Sequence, residues 1–168
     1  MTITLREATT ADVSRIVEVV NAAYVVEEEF RLKGKRTDED DVATHMRSGA
    51  FLVAESDGAI AGCVYVEAND AGGYFGMLSV DPVRQYGGLG KQLVAAAERW
   101  CIERDCAEMT ITVVNARQVL FPWYEKLGYV DVGREPFPQP ERMTIPVEMV
   151  VMRKTLAPVQ AIQGVRHG

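Results

Sequence analysis

Apolar residues recur along this chain with two different periods, and the switches between them mark out its elements. Ile3 to Arg6 alternates apolar and polar, as a short edge strand does. From Thr10 to Tyr24, Val13, Ile16, Val17, Val20 and Tyr24 fall at helical spacing behind a Thr/Asp start signal. Thr37 to Asp40 reads as a capping box opening a second helix that Gly49 ends. Phe51 to Glu55, Ile60 to Glu67 and Tyr74 to Val80 read as strands, joined by the Asp57-Gly58 hairpin signal and a turn at Asn69 to Gly73. A long helix then places Leu89, Leu93, Val94, Ala97, Trp100 and Cys101 on one face. Met109 to Val114 is strand-like, and a helical stretch from about Arg117 to Leu127 stops at Gly128. Tyr129 to Val132 and Val147 to Met152 are the last strands. Pro136, Pro138, Pro140 and Pro146 impose an irregular loop between them.

An antiparallel meander followed by a strand–helix–strand crossover predicts an α/β (α+β) domain. The expected organisation is one domain over residues 1–155 and a flexible tail over 156–168, which lacks periodicity. The 168 residues suit a single core. A net charge of −6 gives no electrostatic reason to expect nucleic acid or an anionic membrane as partner. Three cysteines without a CxxC pair argue against a disulfide framework. The N-terminus lacks a basic start followed by an apolar run, and no apolar stretch approaches membrane-spanning length. A cytoplasmic location is the expectation.

The candidate chemistry lies at Gln85-Tyr86-Gly87-Gly88-Leu89-Gly90, between a strand and a helix. Its glycines permit tight turns and close approach, and a helix N-terminus with free N–H groups attracts anions. Glycines that merely allow the chain to reverse are the plainer reading. A Walker A loop fails because Gln occupies positions 85 and 92, and G-x-G-x-x-G fails because the glycines fall at 87, 88 and 90. The pattern that fits is Gln/Arg-x-x-Gly-x-Gly/Ala, through Gln85, Gly88 and Gly90.

The stretch Leu78 to Lys91 closely resembles the acetyl-CoA-binding motif of the GNAT superfamily of N-acetyltransferases. The segment Asn115 to Tyr129, with Tyr124-Glu-Lys-Leu-Gly-Tyr129, is similar to the family's Asn…Tyr-Glu-Lys-x-Gly-Phe segment. The order of elements agrees over about Ile3 to Thr155. The resemblance implies a mixed, mostly antiparallel central sheet flanked by helices, with a splayed strand pair that admits the cofactor. It implies acetyl-CoA as cofactor and CoA as product. The amides of Tyr86, Gly87, Gly88, Leu89, Gly90 and Lys91, with Gln85, would hold the pyrophosphate. The backbone of Leu78, Ser79 and Val80 would pair with the pantetheine arm. Asn115 would contact that arm, and Tyr124 would lie near its sulfur.

Acyl transfer to an amine needs a neutral amine, a stabilised oxyanion and a proton for the departing thiolate. A lysine-like amine is only about a thousandth neutral near pH 7.4, a barrier of roughly 4 kcal/mol. A backbone N–H near Leu78 or Ser79 suits the oxyanion, and Tyr124 suits the role of general acid. Tyr124 also shares helical spacing with Leu120, Trp123 and Leu127, so core packing is its alternative reading. Two departures from the family pattern stand out. Asn115 and Tyr124 are nine positions apart with Pro122 between them, and the strand Tyr74 to Val80 carries no Glu. Glu67, Glu28, Glu29 and His45 are substitute bases, each more simply read as a surface group. Cys63 and Cys101 fall on apolar faces, which favours direct attack over an acyl-enzyme.

The expected acceptor is the primary amine of a small or amino-acid-like molecule, and the resemblance implies that Tyr24 to Arg47 and Glu135 to Pro146 shape its site. Tyr24, Phe30, Phe137 and Met143 are candidate pocket residues, and Glu27 to Glu29 would attract a cation. The alternatives are a protein N-terminus or lysine as acceptor, a non-catalytic acyl-CoA-binding module and, more remotely, a nucleotide-phosphate binder. A homodimer is compatible with the sequence.

Overall fold

The structure, a computed structural model, describes residues 2–26, 34–84 and 88–156. Its strands are β1 (Ile3–Glu7), β2 (Ala50–Ser56), β3 (Ala59–Asn69), β4 (Gly72–Val80), β5 (Glu108–Val114), β6 (Val130–Pro136) and β7 (Glu148–Thr155). The helices are α1 (Val13–Val26), α2 (Glu39–Ser48), α3 (Leu89–Ile102) and α4 (Leu120–Lys126). The strands form one sheet in the order β1-β2-β3-β4-β5-β7-β6. Every pairing is antiparallel except β4 with β5, as the helical crossover through α3 requires.

Local chemistry explains the elements. Asp57 (φ 53°) and Gly58 (φ 81°) supply the two positive dihedrals of the tight hairpin between β2 and β3. Helix α2 is capped by Asp38, whose carboxylate accepts from the Asp41 amide at 2.8 Å. The cap thus falls one residue later than the expected Thr37. Thr37 instead donates its hydroxyl to the Asp41 carboxylate at 2.6 Å. Helix α4 begins three residues later than the expected 117, which places Pro122 in its first turn, where no intrahelical amide is lost.

Two apolar layers cover the sheet. On one face α3 and α4 bury Leu93, Val94, Ala97 and Cys101 against Val64, Phe75, Met109 and Ile111. On the other, α1 and α2 bury Ile16, Val19, Val20 and Val42 against Phe51, Val53 and Tyr65. Gly73 lets α3 approach β4 closely, since a Cβ there would lie 2.6 Å from the Cys101 sulfur. Leu156, expected in a loose tail, is 4% exposed and donates its amide to the Ala107 carbonyl at 2.8 Å. The remainder of that expected tail, 157–168, lies outside the described residues, as do Gln85, Tyr86, Gly87 and 27–33. Among the described residues no helix is long and apolar enough to cross a membrane.

Candidate active site

The site begins where β4 and β5 part. They pair only at Gly73 with Met109 and Tyr74 with Thr110, and then diverge. On its other side β4 leaves the β3 ladder as well. Tyr65 pairs with Gly76 and Cys63 with Ser79, so β4 spends one extra residue in a bulge. Met77 holds φ at 53°, a rare value for a residue with a side chain. The Ser79 hydroxyl braces the bulge by donating to the Met77 carbonyl at 3.1 Å. The backbone of Met77 and Leu78 therefore lies outside both ladders, facing the gap.

Two cavities meet there. One, of about 430 Å³, runs from Leu78, Ser79 and Val80 to the start of α3 at Gly88, Leu89, Gly90 and Lys91, with Trp123 opposite. Gly88 caps α3 in a left-handed conformation (φ 72°), and a Cβ on it would meet nothing within 4 Å. A Cβ on Gly90 would meet only the Trp123 ring, at 3.5 Å. The N-terminal amides of α3 thus open onto space that only glycine leaves clear. The other cavity, of about 270 Å³, passes between the splayed strands to the far side of the sheet. Its walls include Tyr24, Tyr74, Phe137, Met143 and Met149. Tyr24, Leu78, Arg117, Leu120 and Tyr124 line both.

Tyr124 is 7% exposed. Its ring packs against Trp123 (4.9 Å between centroids), Tyr129 (6.0 Å) and Phe75 (6.2 Å). An aromatic cluster therefore holds the Tyr124 ring, and the residue also lines both cavities. Behind it, Tyr129 donates to Glu98 at 2.7 Å, and Lys154 reaches the same carboxylate at 3.0 Å. Asn115 lies in neither wall. Its side chain accepts from the Glu148 amide at 3.2 Å, and its own amide donates to the Glu148 carbonyl at 2.9 Å, tying β5 to β7. Sequence spacing could not show this bond, which links residues 33 positions apart.

The substitute bases Glu67 and His45 are occupied elsewhere. Glu67 accepts from the Tyr65 hydroxyl at 2.6 Å, and that bond, after burial, raises the Tyr65 pKa. The His45 ring packs on Tyr65 at 4.7 Å, and neither Glu67 nor His45 lines either of these two cavities. Glu28 and Glu29 lie outside the described residues. Tyr74 does line the smaller cavity and lies across Gly76, where a Cβ would come within 2.5 Å of its hydroxyl. Burial raises its pKa most, while a hydrogen bond with Thr112 and the charge of Arg36 pull the other way. Cys63, Cys101 and Cys106 are all buried free thiols. Burial pushes Cys63 to about 12, and burial with the neighbouring Cys106 does the same to Cys101. Among the described residues no cluster of His, Cys, Asp or Glu could hold a metal ion.

Comparison with known proteins agrees with this architecture. The sequence matches the Acetyltransferase (GNAT) family over residues 15–129. The chain belongs to that family. Similar solved structures include the ribosomal-protein-S18-alanine N-acetyltransferase from Escherichia coli, at 16% identity and a TM-score of 0.73, covering 92% of this chain and 94% of that one. The PaiA N-acetyltransferase from Thermoplasma acidophilum, in complex with coenzyme A, shares 17% identity at a TM-score of 0.72, covering 92% and 99%. The yncA protein from Salmonella typhimurium, solved with its cofactor acetyl-CoA, shares 18% identity at 0.72, covering 93% and 95%. At these identities the likeness is one of fold. A comparison with curated proteins found no match.

Proposed function

We propose that this GNAT-family acetyltransferase transfers an acetyl group from acetyl-CoA to the primary amine of a small or amino-acid-like acceptor. The observation that carries the reading is the junction of two cavities at Leu78 and Tyr124, one ending at a helix N-terminus and the other crossing the sheet. The larger cavity suits the cofactor. Amides of Gly88, Leu89, Gly90 and Lys91, with Gln85 to Gly87 preceding them, receive the pyrophosphate, and β4 from Leu78 to Val80 offers its backbone edge to the pantetheine arm. When bound, acetyl-CoA supplies an acyl group activated as a thioester.

The chain's own residues then have three tasks. The smaller cavity orients the amine so that its lone pair reaches the carbonyl carbon across the gap. Leu78, outside the ladders at the bulge, directs its N–H at the carbonyl oxygen as negative charge develops there. Tyr124 gives its hydroxyl proton to the sulfur as the C–S bond breaks and the C–N bond forms. The proton lost by the amine passes to solvent through the cavity mouth, where no carboxylate among the described residues lines the wall, and a proton from solvent restores the Tyr124 hydroxyl. Buried thiols with raised pKa values favour this direct attack over an acyl-enzyme. The narrow acceptor side, flanked by Phe137 and Met143, supports a small acceptor rather than a folded protein lysine.

The test is release of free CoA thiol from acetyl-CoA across a broad panel of small amines, amino acids and peptides. Turnover with small amines is expected. Tight acetyl-CoA binding without turnover on any amine would make the protein a binding module instead.

A further inference from the structure

Among the described residues, the charged side chains that line the acceptor-side cavity are basic, in a chain that is acidic overall. Among the described residues its walls carry Arg36, Arg117 and Arg142 and no Asp or Glu, in a protein with 24 acidic residues against 18 basic ones. Arg117 also lines the larger cavity, and Arg36 differs from Arg142. Arg142 donates to Gln139 at 3.2 Å and to the Lys35 carbonyl, so it braces backbone and loop. Arg36 is half-buried with its guanidinium over the Tyr24 ring, 5.2 Å from the centroid, and among the described residues it has no ion-pair partner.

Its backbone is fixed from both sides. Arg142 holds the carbonyl of Lys35, immediately before it. Asn21 on α1 clamps Thr37, immediately after it, by donating to the Thr37 carbonyl at 3.0 Å and accepting from its amide at 2.9 Å. Two residues from distant parts of the chain thus pin the flanks of one arginine whose charge faces a cavity. A surface arginine needs no such support. A held guanidinium stacked on an aromatic ring is suited to bidentate recognition of a carboxylate.

We propose that Arg36 binds a carboxylate of the acceptor, making the acceptor an α-amino-acid-like amine with an apolar side chain. This rests on the transferase reading and names its substrate class. The apolar walls at Phe137, Met143 and Met149 receive the side chain. Arg36 also acts on the amine itself, because a nearby cation favours the neutral, nucleophilic form. The acidic run at Glu27 to Glu29 would have pointed to a cationic acceptor; the charge on the cavity wall points to an anionic one.

The test uses matched pairs: L-methionine, L-leucine and L-phenylalanine against their carboxamides, with acetyl-CoA and thiol release as readout. The measure is the ratio of kcat/KM for each acid to that for its amide, compared between native protein and Arg36→Gln. This comparison cancels the different basicities of the amines. The ratio is expected to fall about ten- to a hundredfold in Arg36→Gln, chiefly through KM for the acids, with Arg36→Lys recovering part of it. Circular dichroism and CoA affinity confirm that each variant is folded. An unchanged ratio would overturn the assignment. Calorimetric binding of the N-acetyl acids and N-acetyl amides to the CoA-loaded protein tests the site without requiring turnover. A preference for the acids that Arg36→Gln erases upholds the site even without turnover; no preference overturns it even where transfer occurs.

Discussion

Replacing Gly90 by Ala should make the free protein slightly more stable with cofactor binding kept, whereas a large side chain at 90 should damage binding, and the contrast gives the prediction its force. Gly90 is the second residue of α3, so alanine there reduces the conformational entropy lost on folding. The full interior effect is about 1 kcal/mol, and roughly half of it is expected in a first turn. Nothing in the protein opposes the added methyl, whose nearest neighbour is the Trp123 ring at 3.5 Å. At about 2–4 °C per kcal/mol for a domain of this size, the melting temperature should rise by about 1–2 °C. A methyl fits there, as the Gly/Ala position of the motif implies, but a leucine side chain would fill the cavity where a pyrophosphate would approach the amides. Losing one charge-assisted hydrogen bond costs about 1.5–3 kcal/mol, so Gly90→Leu should lose roughly ten- to hundredfold in CoA affinity. Gly88→Ala is the contrasting control. Its surroundings are equally open, but its φ of 72° would cost alanine about 1–2 kcal/mol, so the free protein itself should melt about 2–8 °C lower. Thermal melts without ligand and calorimetry with CoA make the comparison. Gly90→Leu with native CoA affinity would refute the pyrophosphate assignment whatever its melting temperature.

Two further predictions concern the rest of the fold. Iodoacetamide under native conditions at about pH 7.5 should label none of the three buried cysteines appreciably and leave thiol release intact, as mass spectrometry and activity on one sample would show; rapid labelling with loss of activity would contradict direct attack. Asp12, held by Arg6 at about 2, stabilises the fold above the unfolded carboxylate pKa near 4, and that contribution disappears as pH falls through 2. Asp12→Asn should therefore cost about 1 kcal/mol in urea unfolding at pH 7, after allowance for the partly exposed Arg6, and progressively less in acid below about pH 4.

Much of the scaffold was legible because short-range rules write it. Asp57-Gly58 demanded a tight hairpin, Gly128 (φ 102°) a helix stop, and the apolar period through Leu93, Val94 and Ala97 a buried face on α3. What escaped the sequence was set by long-range contacts. Asn115 carries a motif position, yet its side chain is occupied by Glu148 across the sheet. Met77 gives no local sign of its positive φ, since the bulge is fixed by unequal pairing with β3. Arg36 follows a charged stretch with no motif of its own, and only the convergence of Asn21 and Arg142 on its neighbours shows that its backbone is held. Trp123, read as helix packing, proves to wall the larger cavity because Gly90 of α3 leaves room beside it.

Tyr124→Phe tests the central claim most directly, because it removes one oxygen from the wall shared by both cavities while the surrounding Phe75, Trp123 and Tyr129 rings still hold the side chain. kcat from thiol release and Kd for CoA from calorimetry are measured on the same preparation. The account predicts a fall in kcat of about a hundredfold or more with CoA affinity within about threefold of native, as loss of a general acid requires. An unchanged kcat would contradict it and return Tyr124 to the aromatic core alone.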